Sequence, residues 1–89
     1  MKPLEPLLAR ARTVARLFRL GCDVEAAGVM VDLFESVQAR VDTAPGAFQQ
    51  DWARLLGAML ACQEAQDWLG LADYLEYELV DWLQEGFAD

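Results

Sequence analysis

Residues 42–46 read Asp-Thr-Ala-Pro-Gly, and they mark the clearest break in the chain. Proline lacks the backbone N–H that a helix interior needs and glycine is costly inside a helix, so no helix is expected to run through this turn. Leu20-Gly21-Cys22-Asp23 forms a second break, with the pattern of a C-terminal glycine cap followed by an aspartate N-cap. The third break, Gln66-Asp67-Trp68, is weaker, because Asp67 can either cap a new helix or mark a kink.

Four segments lie between these breaks, and each carries apolar residues at helical spacing with no sustained period of two. Each segment therefore predicts an amphipathic helix whose apolar stripe faces a core. The predicted stripes are, in chain order, Leu4, Leu7, Leu8, Ala11, Val14, Ala15 and Phe18; Ala27, Met30, Leu33, Phe34, Val37 and Val41; Phe48, Trp52, Leu55, Leu56, Met59 and Leu60; and Trp68, Leu71, Ala72, Leu75, Leu79, Trp82 and Leu83.

Helices joined by links this short are expected to pack as antiparallel neighbours. The sequence therefore predicts an all-α fold, an antiparallel up-down four-helix bundle that forms a single helical domain over residues 1–89. The alternative is two stacked helical hairpins of the kind found in helical repeats, although the chain shows no internal repeat.

The composition argues against an enzyme. Fifteen acidic and seven basic residues with no histidine give a formal net charge of -8. Histidine is the commonest general base and transition-metal ligand, and its absence excludes both uses. Cys22 and Cys62 are too far apart for a Cys-x-x-Cys element, and the isolated glycines form no phosphate-binding loop. We expect no catalytic residues, no cofactor and no metal site.

Arginines interrupt the first apolar stretch, so neither a secretory signal nor a membrane span is expected there. The cytoplasm is the predicted location, and a membrane partner is not expected. In a reducing compartment both cysteines are expected to stay reduced.

Charge is divided unevenly along the chain. Residues 1–20 hold five basic side chains against one glutamate, whereas residues 64–89 hold eight carboxylates and no basic residue. Arg12, Arg16 and Arg19 form one stripe on the first helix, at i, i+4 and i+7.

A stripe on the fourth helix, made of Tyr74, Glu78, Asp81 and Glu85, is expected to face these arginines. In an antiparallel bundle it brings Asp81 near Arg12 and Glu78 near Arg16. The alternative use of the arginines, binding of nucleic acid or an anionic membrane, is disfavoured by the net charge of -8.

Four carboxylates near the end of the chain, Asp73, Glu76, Asp81 and Glu85, have two possible uses. Hard cations prefer oxygen ligands, but the segment has no EF-hand loop and no Glu-x-x-His element, so no metal is expected. A solvated acidic surface that attracts a basic partner is the favoured use.

The third helix has an unusual outer face. Lysines and glutamates are expected opposite its apolar stripe, but small residues and one arginine stand there instead: Arg54, Gly57, Ala58, Ala61 and Ala65. Three explanations remain open. The helix is central and contacted on two sides, it forms a two-fold homodimer interface, or the alanines are simply good exposed helix formers. Separately, Leu17, Leu20, Val29 and Val31 lie beside the main stripes and can extend an exposed apolar patch.

The run from Leu71 to Leu79, Leu-Ala-Asp-Tyr-Leu-Glu-Tyr-Glu-Leu, resembles the last helix of small bacterial all-helical domains of uncharacterised function. The resemblance covers residues 64–83 and implies a bacterial helical bundle without implying any activity. In size and charge the chain is also similar to small acidic helical chaperones of secretion and flagellar systems.

Together these features predict a small acidic module that works by protein–protein contact, as an adaptor, chaperone-like binder or inhibitor. Its partner is a protein with a basic surface, and a homodimer through the third helix is a further expectation. The alternative is an acidic mimic of nucleic acid that occupies a basic site on a partner protein. A third, weaker alternative is a membrane-surface binder that uses the first helix.

Overall fold

A computed structural model describes residues 3–87, which form four helices and no strand. They are α1 (Glu5–Arg19), α2 (Asp23–Val41), α3 (Gly46–Glu64) and α4 (residues 68–87). Within α4, α-helical turns at Trp68–Asp73 and Val80–Phe87 flank a π-helical segment at Tyr74–Leu79. The predicted all-α fold with four helices is confirmed.

Successive helices run antiparallel around the bundle. At the junction of α1 and α2, Arg40 Nη2 near the end of α2 donates to the Pro3 carbonyl oxygen before α1, at 2.8 Å. Between α2 and α3, Trp52 Nε1 donates to Gln38 Oε1 at 2.7 Å. The last residue of α1, Arg19, contacts the beginning of α4. These contacts join the end of one helix to the start of another, as an up-down bundle requires.

The core is centred on α1, which packs along both α2 and α4. Nearly the whole predicted stripe of α1 is buried, from Leu7 to Phe18. In contrast, α3 buries only Trp52 and Met59 completely. The buried residues are Leu7, Leu8, Ala11, Val14, Ala15 and Phe18 from α1; Ala26, Met30, Leu33, Val37 and Val41 from α2; Trp52 and Met59 from α3; and Leu71, Ala72, Leu75, Leu79, Val80 and Leu83 from α4.

Two details of the predicted core were wrong. Leu60 is 46% exposed, because α3 has no neighbour on the side that this residue faces. Ala26 and Val80, which were not predicted, are buried. Among the tryptophans, Trp52 is buried whereas the other two are half-buried at the edges of the core.

The first two breaks lie where the sequence predicted them. Gly21 has φ +78°, which suits the C-terminal cap of α1, and Cys22 N–H donates to the Leu17 carbonyl at 2.9 Å. The predicted N-cap was displaced by one residue, because Cys22 occupies that position and Asp23 is already helical. In the turn at residues 42–46, Pro45 is the N-cap of α3.

The third break is a tight turn between two helices. Gln66 adopts φ +58°, and the Asp67 side chain caps α4 by accepting from Gly70 N–H at 3.0 Å. A Cβ on Gly70 would lie 2.3 Å from Asp67 Oδ2, so only glycine leaves room for this cap. Asp67 therefore starts a separate helix rather than marking a kink.

The π-helical segment matches the spacing of the leucines on α4. Leu71, Leu75, Leu79 and Leu83 recur every fourth residue, and all four are buried. In a regular α-helix of 3.6 residues per turn, such a row drifts around the axis. The wider i→i+5 turn of a π segment offsets this drift, so the row stays on the face that meets α1.

Candidate interaction surfaces

Arg19 holds the beginning of α4 against the end of α1. Its Nη2 lies 2.8 Å from Asp73 Oδ1, and its Nη1 pairs with Glu76 Oε1. The guanidinium carbon also lies 5.9 Å from the centre of the Tyr77 ring, within cation–π range. One arginine thus contacts three side chains on consecutive turns of α4.

These contacts shift three pKa values. Hydrogen bonding to Tyr77, and then to Arg19, lowers the pKa of Glu76. The same contact with Glu76 raises the pKa of Tyr77, because the nearby carboxylate disfavours a phenolate. Hydrogen bonds to Asp73 and Glu76 raise the pKa of Arg19.

The predicted charge register between α1 and α4 is correct only in part, because Asp81 lines one groove with Arg12 whereas Glu78 does not line it. Within the described chain neither Arg16 with Glu78 nor Arg12 with Asp81 forms an ion pair, and Glu78 is exposed. Both arginines instead line a groove of about 590 Å³ that also includes Asp81. The two helices still place opposite charges together, as predicted, but through a different row of α4 residues.

This arrangement changes the predicted acidic surface. Asp73 and Glu76 are already paired with Arg19, and Asp81 shares a groove with three arginines. Of the four residues predicted to form that surface, only Glu85 is exposed without a described cation beside it. The carboxylates of α4 therefore serve in large part to balance α1.

The outer face of α3 is exposed. Arg54, Gly57, Ala61 and Ala65 are open to solvent and Ala58 is half-buried, so the explanation that α3 is central was wrong. A Cβ on Gly57 would meet no atom within 4 Å, so the packing of one chain does not require glycine there. Arg54 forms an exposed pair with Asp51 on its own helix, at 3.5 Å.

Five aromatic rings form a continuous cluster at the end of the bundle where α3 begins. Trp52 lies at its centre, with Phe34 edge-on at 5.7 Å and Trp82 stacked at 6.0 Å. Phe48 and Phe87 complete the cluster against Trp82, at 6.3 and 5.8 Å. Trp82 Nε1 is buried and has no hydrogen-bond partner among the described residues. The cluster fixes α3 to α2 and α4.

A cleft of about 1250 Å³ opens beside this cluster. Phe48 and Phe87 form part of its apolar lining, and its polar lining includes Arg10, Arg40, Asp32 and Glu35. The cleft combines charges of both signs. Sequence reasoning missed it, because four helix ends that are distant in the chain create it together.

The cysteines are free thiols. Burial, and then the charge of Asp67, raises the pKa of the Cys62 thiol, which disfavours the reactive thiolate. Among residues 3–87 no three His, Cys, Asp or Glu side chains come together as a metal-binding group. No described helix is both long enough and apolar enough to cross a membrane.

No protein-family model, curated protein or solved structure matches this chain. The resemblance of residues 64–83 to bacterial helical domains therefore stays a prediction.

Proposed function

We propose that this protein is an interaction module without catalytic activity, and that two copies associate through α3. The observation that carries the proposal is the exposed and nearly uncharged outer face of α3. Its exposed residues are Ala47, Gln49, Gln50, Ala53, Arg54, Gly57, Leu60, Ala61, Glu64 and Ala65. Only two of these ten side chains are charged.

Glycine at position 57 supports a close approach by another helix. A glycine in a helix interior costs about 1 kcal/mol relative to alanine. Gly57 offsets none of this cost within one chain, because the space above it is empty. Contact with a second backbone supplies a reason for the missing side chain.

An antiparallel arrangement of two α3 helices also matches charges. With the two-fold axis level with residue 59, Arg54 faces Glu64 of the second copy, and the pair occurs twice by symmetry. In the same register Gly57 faces Ala61 of the second copy, so small residues oppose each other at both contacts. The proposed dimer is therefore complementary in both shape and charge.

Mass by light scattering tests this dimer. We expect Arg54→Glu and Glu64→Arg each to shift the protein toward the monomer, because each places like charges together. The combined variant should recover the dimer, since both pairs are restored with opposite polarity. Ala61→Glu should also give the monomer with unchanged helix content, whereas the matched Ala9→Glu, at an exposed position on α1, should not.

A wild-type protein that is monomeric at high concentration contradicts the dimer. A dimer that keeps its mass in all of these variants also contradicts it, because the contact must then lie elsewhere.

The second candidate function, an acidic mimic of nucleic acid, is supported by the net charge of -8. Against it, Arg19 neutralises carboxylates that such a surface needs. We favour the adaptor, chaperone-like or inhibitory role, and we propose that the module works in the cytoplasm, where free thiols persist.

A further inference from the structure

The outward face of α2 carries two valines that no helix of the chain covers. Val24 is 91% exposed and Val31 is 53% exposed. They are seven residues apart, so they lie two turns apart on nearly the same side of the helix. Gly28 lies between them, and a Cβ there would meet no atom within 4 Å. The two valines and the open glycine form a shallow apolar strip.

Three exposed carboxylates border this strip, because Glu25 and Asp32 lie beside it and Glu35 continues its row beyond Val31. None of them forms an ion pair with any residue in the described part of the chain. The one basic residue of α2, Arg40, donates to the Pro3 carbonyl at 2.8 Å. The strip is therefore apolar at its centre and negative at its edge.

Two arginines, Arg10 and Arg40, line the cleft that also includes Asp32 and Glu35 of this face. Arg10 lines that cleft with Asp32 and Glu35, but its own hydrogen bond goes to Ser36 Oγ at 3.4 Å. The contrast with α4 is clear, because there Arg19 pairs directly with two carboxylates. Among the described residues, three exposed carboxylates without an ion pair thus lie close to the exposed valines of α2.

We propose that the outward face of α2 docks a basic amphipathic helix of a partner protein. This inference deepens the proposed interaction function and rests on it, but it uses a different helix from the dimer contact. Apolar residues of the partner helix, one heptad apart, cover Val24 and Val31. Its lysines or arginines lie beside Glu25, Asp32 and Glu35.

Charge complementarity selects this occupant. Exposed carboxylates that form no ion pair among the described residues attract a cationic segment over several ångströms and orient it during encounter. Two valines a heptad apart match a helix better than an extended strand, whose side chains repeat every second residue. Gly28 lets the backbone of the docked helix approach closely.

A synthetic amphipathic helix of leucine and lysine in heptad arrangement is the probe for this site. We expect it to bind the full chain, as measured by calorimetry, and V24S/V31S to weaken binding about tenfold or more through lost apolar contact. The charge variant E25Q/D32N/E35Q should weaken binding and flatten its dependence on salt.

Matched control variants change the same chemistry elsewhere. L69S removes an apolar side chain that is 64% exposed on α4, and E78Q/D81N/E85Q removes three exposed carboxylates from α4. Both should bind the peptide as the wild type does. All substituted positions are exposed, and far-UV circular dichroism checks that each variant keeps its helices.

Four results would overturn the inference. The first is no binding, and the second is equal loss in the α2 and control variants. The third is equal binding of a peptide with the same composition scrambled to remove its apolar face. A fall in the mass of the free protein caused by V24S/V31S would also overturn it, since a second copy would then cover α2. Failure of peptide binding with an intact α3 dimer rejects this inference and leaves the proposed dimer in place.

Discussion

The first and third helices have opposite relations to the core. In α1, six of 15 residues are buried, and they include large side chains along the whole helix. In α3, only two of 19 are buried, although its apolar stripe looks equally regular in sequence. The difference lies on the outer side, where α1 carries arginines and α3 carries small uncharged residues. The polarity of the outer face therefore distinguishes α1 from α3 better than the apolar stripe does.

The same truncation on both helices should show the largest contrast. Leu8→Ala on α1 removes a side chain that is 2% exposed, and we expect it to lower the free energy of unfolding by about 2 to 5 kcal/mol. Leu60→Ala on α3 should change it by less than about 0.5 kcal/mol in dilute, monomeric protein, because Leu60 is 46% exposed. Urea denaturation measures both. Equal losses would show that α3 is packed as tightly as α1.

Adding side-chain volume should change the free energy of unfolding by less than truncation does, and in opposite directions on α1 and α3. Ala15→Val on α1 overfills a fully buried position, and we expect a cost of about 1 to 3 kcal/mol. Gly57→Ala on α3 should instead stabilise the monomer by about 0.5 to 1 kcal/mol, since the added methyl group enters open space. Thermal unfolding at low protein concentration checks both changes. A loss of stability from Gly57→Ala in the monomer would contradict the open site.

The smallest expected effect is on the pH dependence of stability, and it compares Arg19 at the end of α1 with Arg54 on the outer face of α3. The lowered pKa of Glu76 means that its ionisation contributes stability above the unfolded pKa of about 4.3, and this contribution is lost as the pH falls through the folded value. Arg19→Gln should reduce this acid dependence, and Tyr77 should preserve part of it. Arg54→Gln should leave it unchanged in dilute, monomeric protein. Urea midpoints between neutral and acidic pH make the comparison, which fails if the two variants behave alike.

Local features of the sequence predicted the helices and the turns. Gly21 and Pro45 mark helix ends through their own backbone geometry, and helical spacing of apolar residues can be recognised without knowing which helices are neighbours. Contacts between helices depend on how each helix is rotated about its own axis. For α4, the row of leucines and the π segment determine that rotation together. For that reason the sequence predicts the basic stripe that includes Arg19 but does not predict its ion pairs with Asp73 and Glu76. The exposure of Leu60 could not be predicted from the local sequence either, because it depends on the absence of a helix beside that face of α3.

The stacked pair of Trp52 and Trp82 is an intrinsic spectroscopic probe of the position of α3. The indole rings lie 6.0 Å apart and within 12° of parallel, one on α3 and the other on α4. Stacked indoles couple their electronic transitions, and that coupling disappears once the rings separate. Displacement of α3 from the bundle therefore changes the near-ultraviolet spectrum of the protein without any added label.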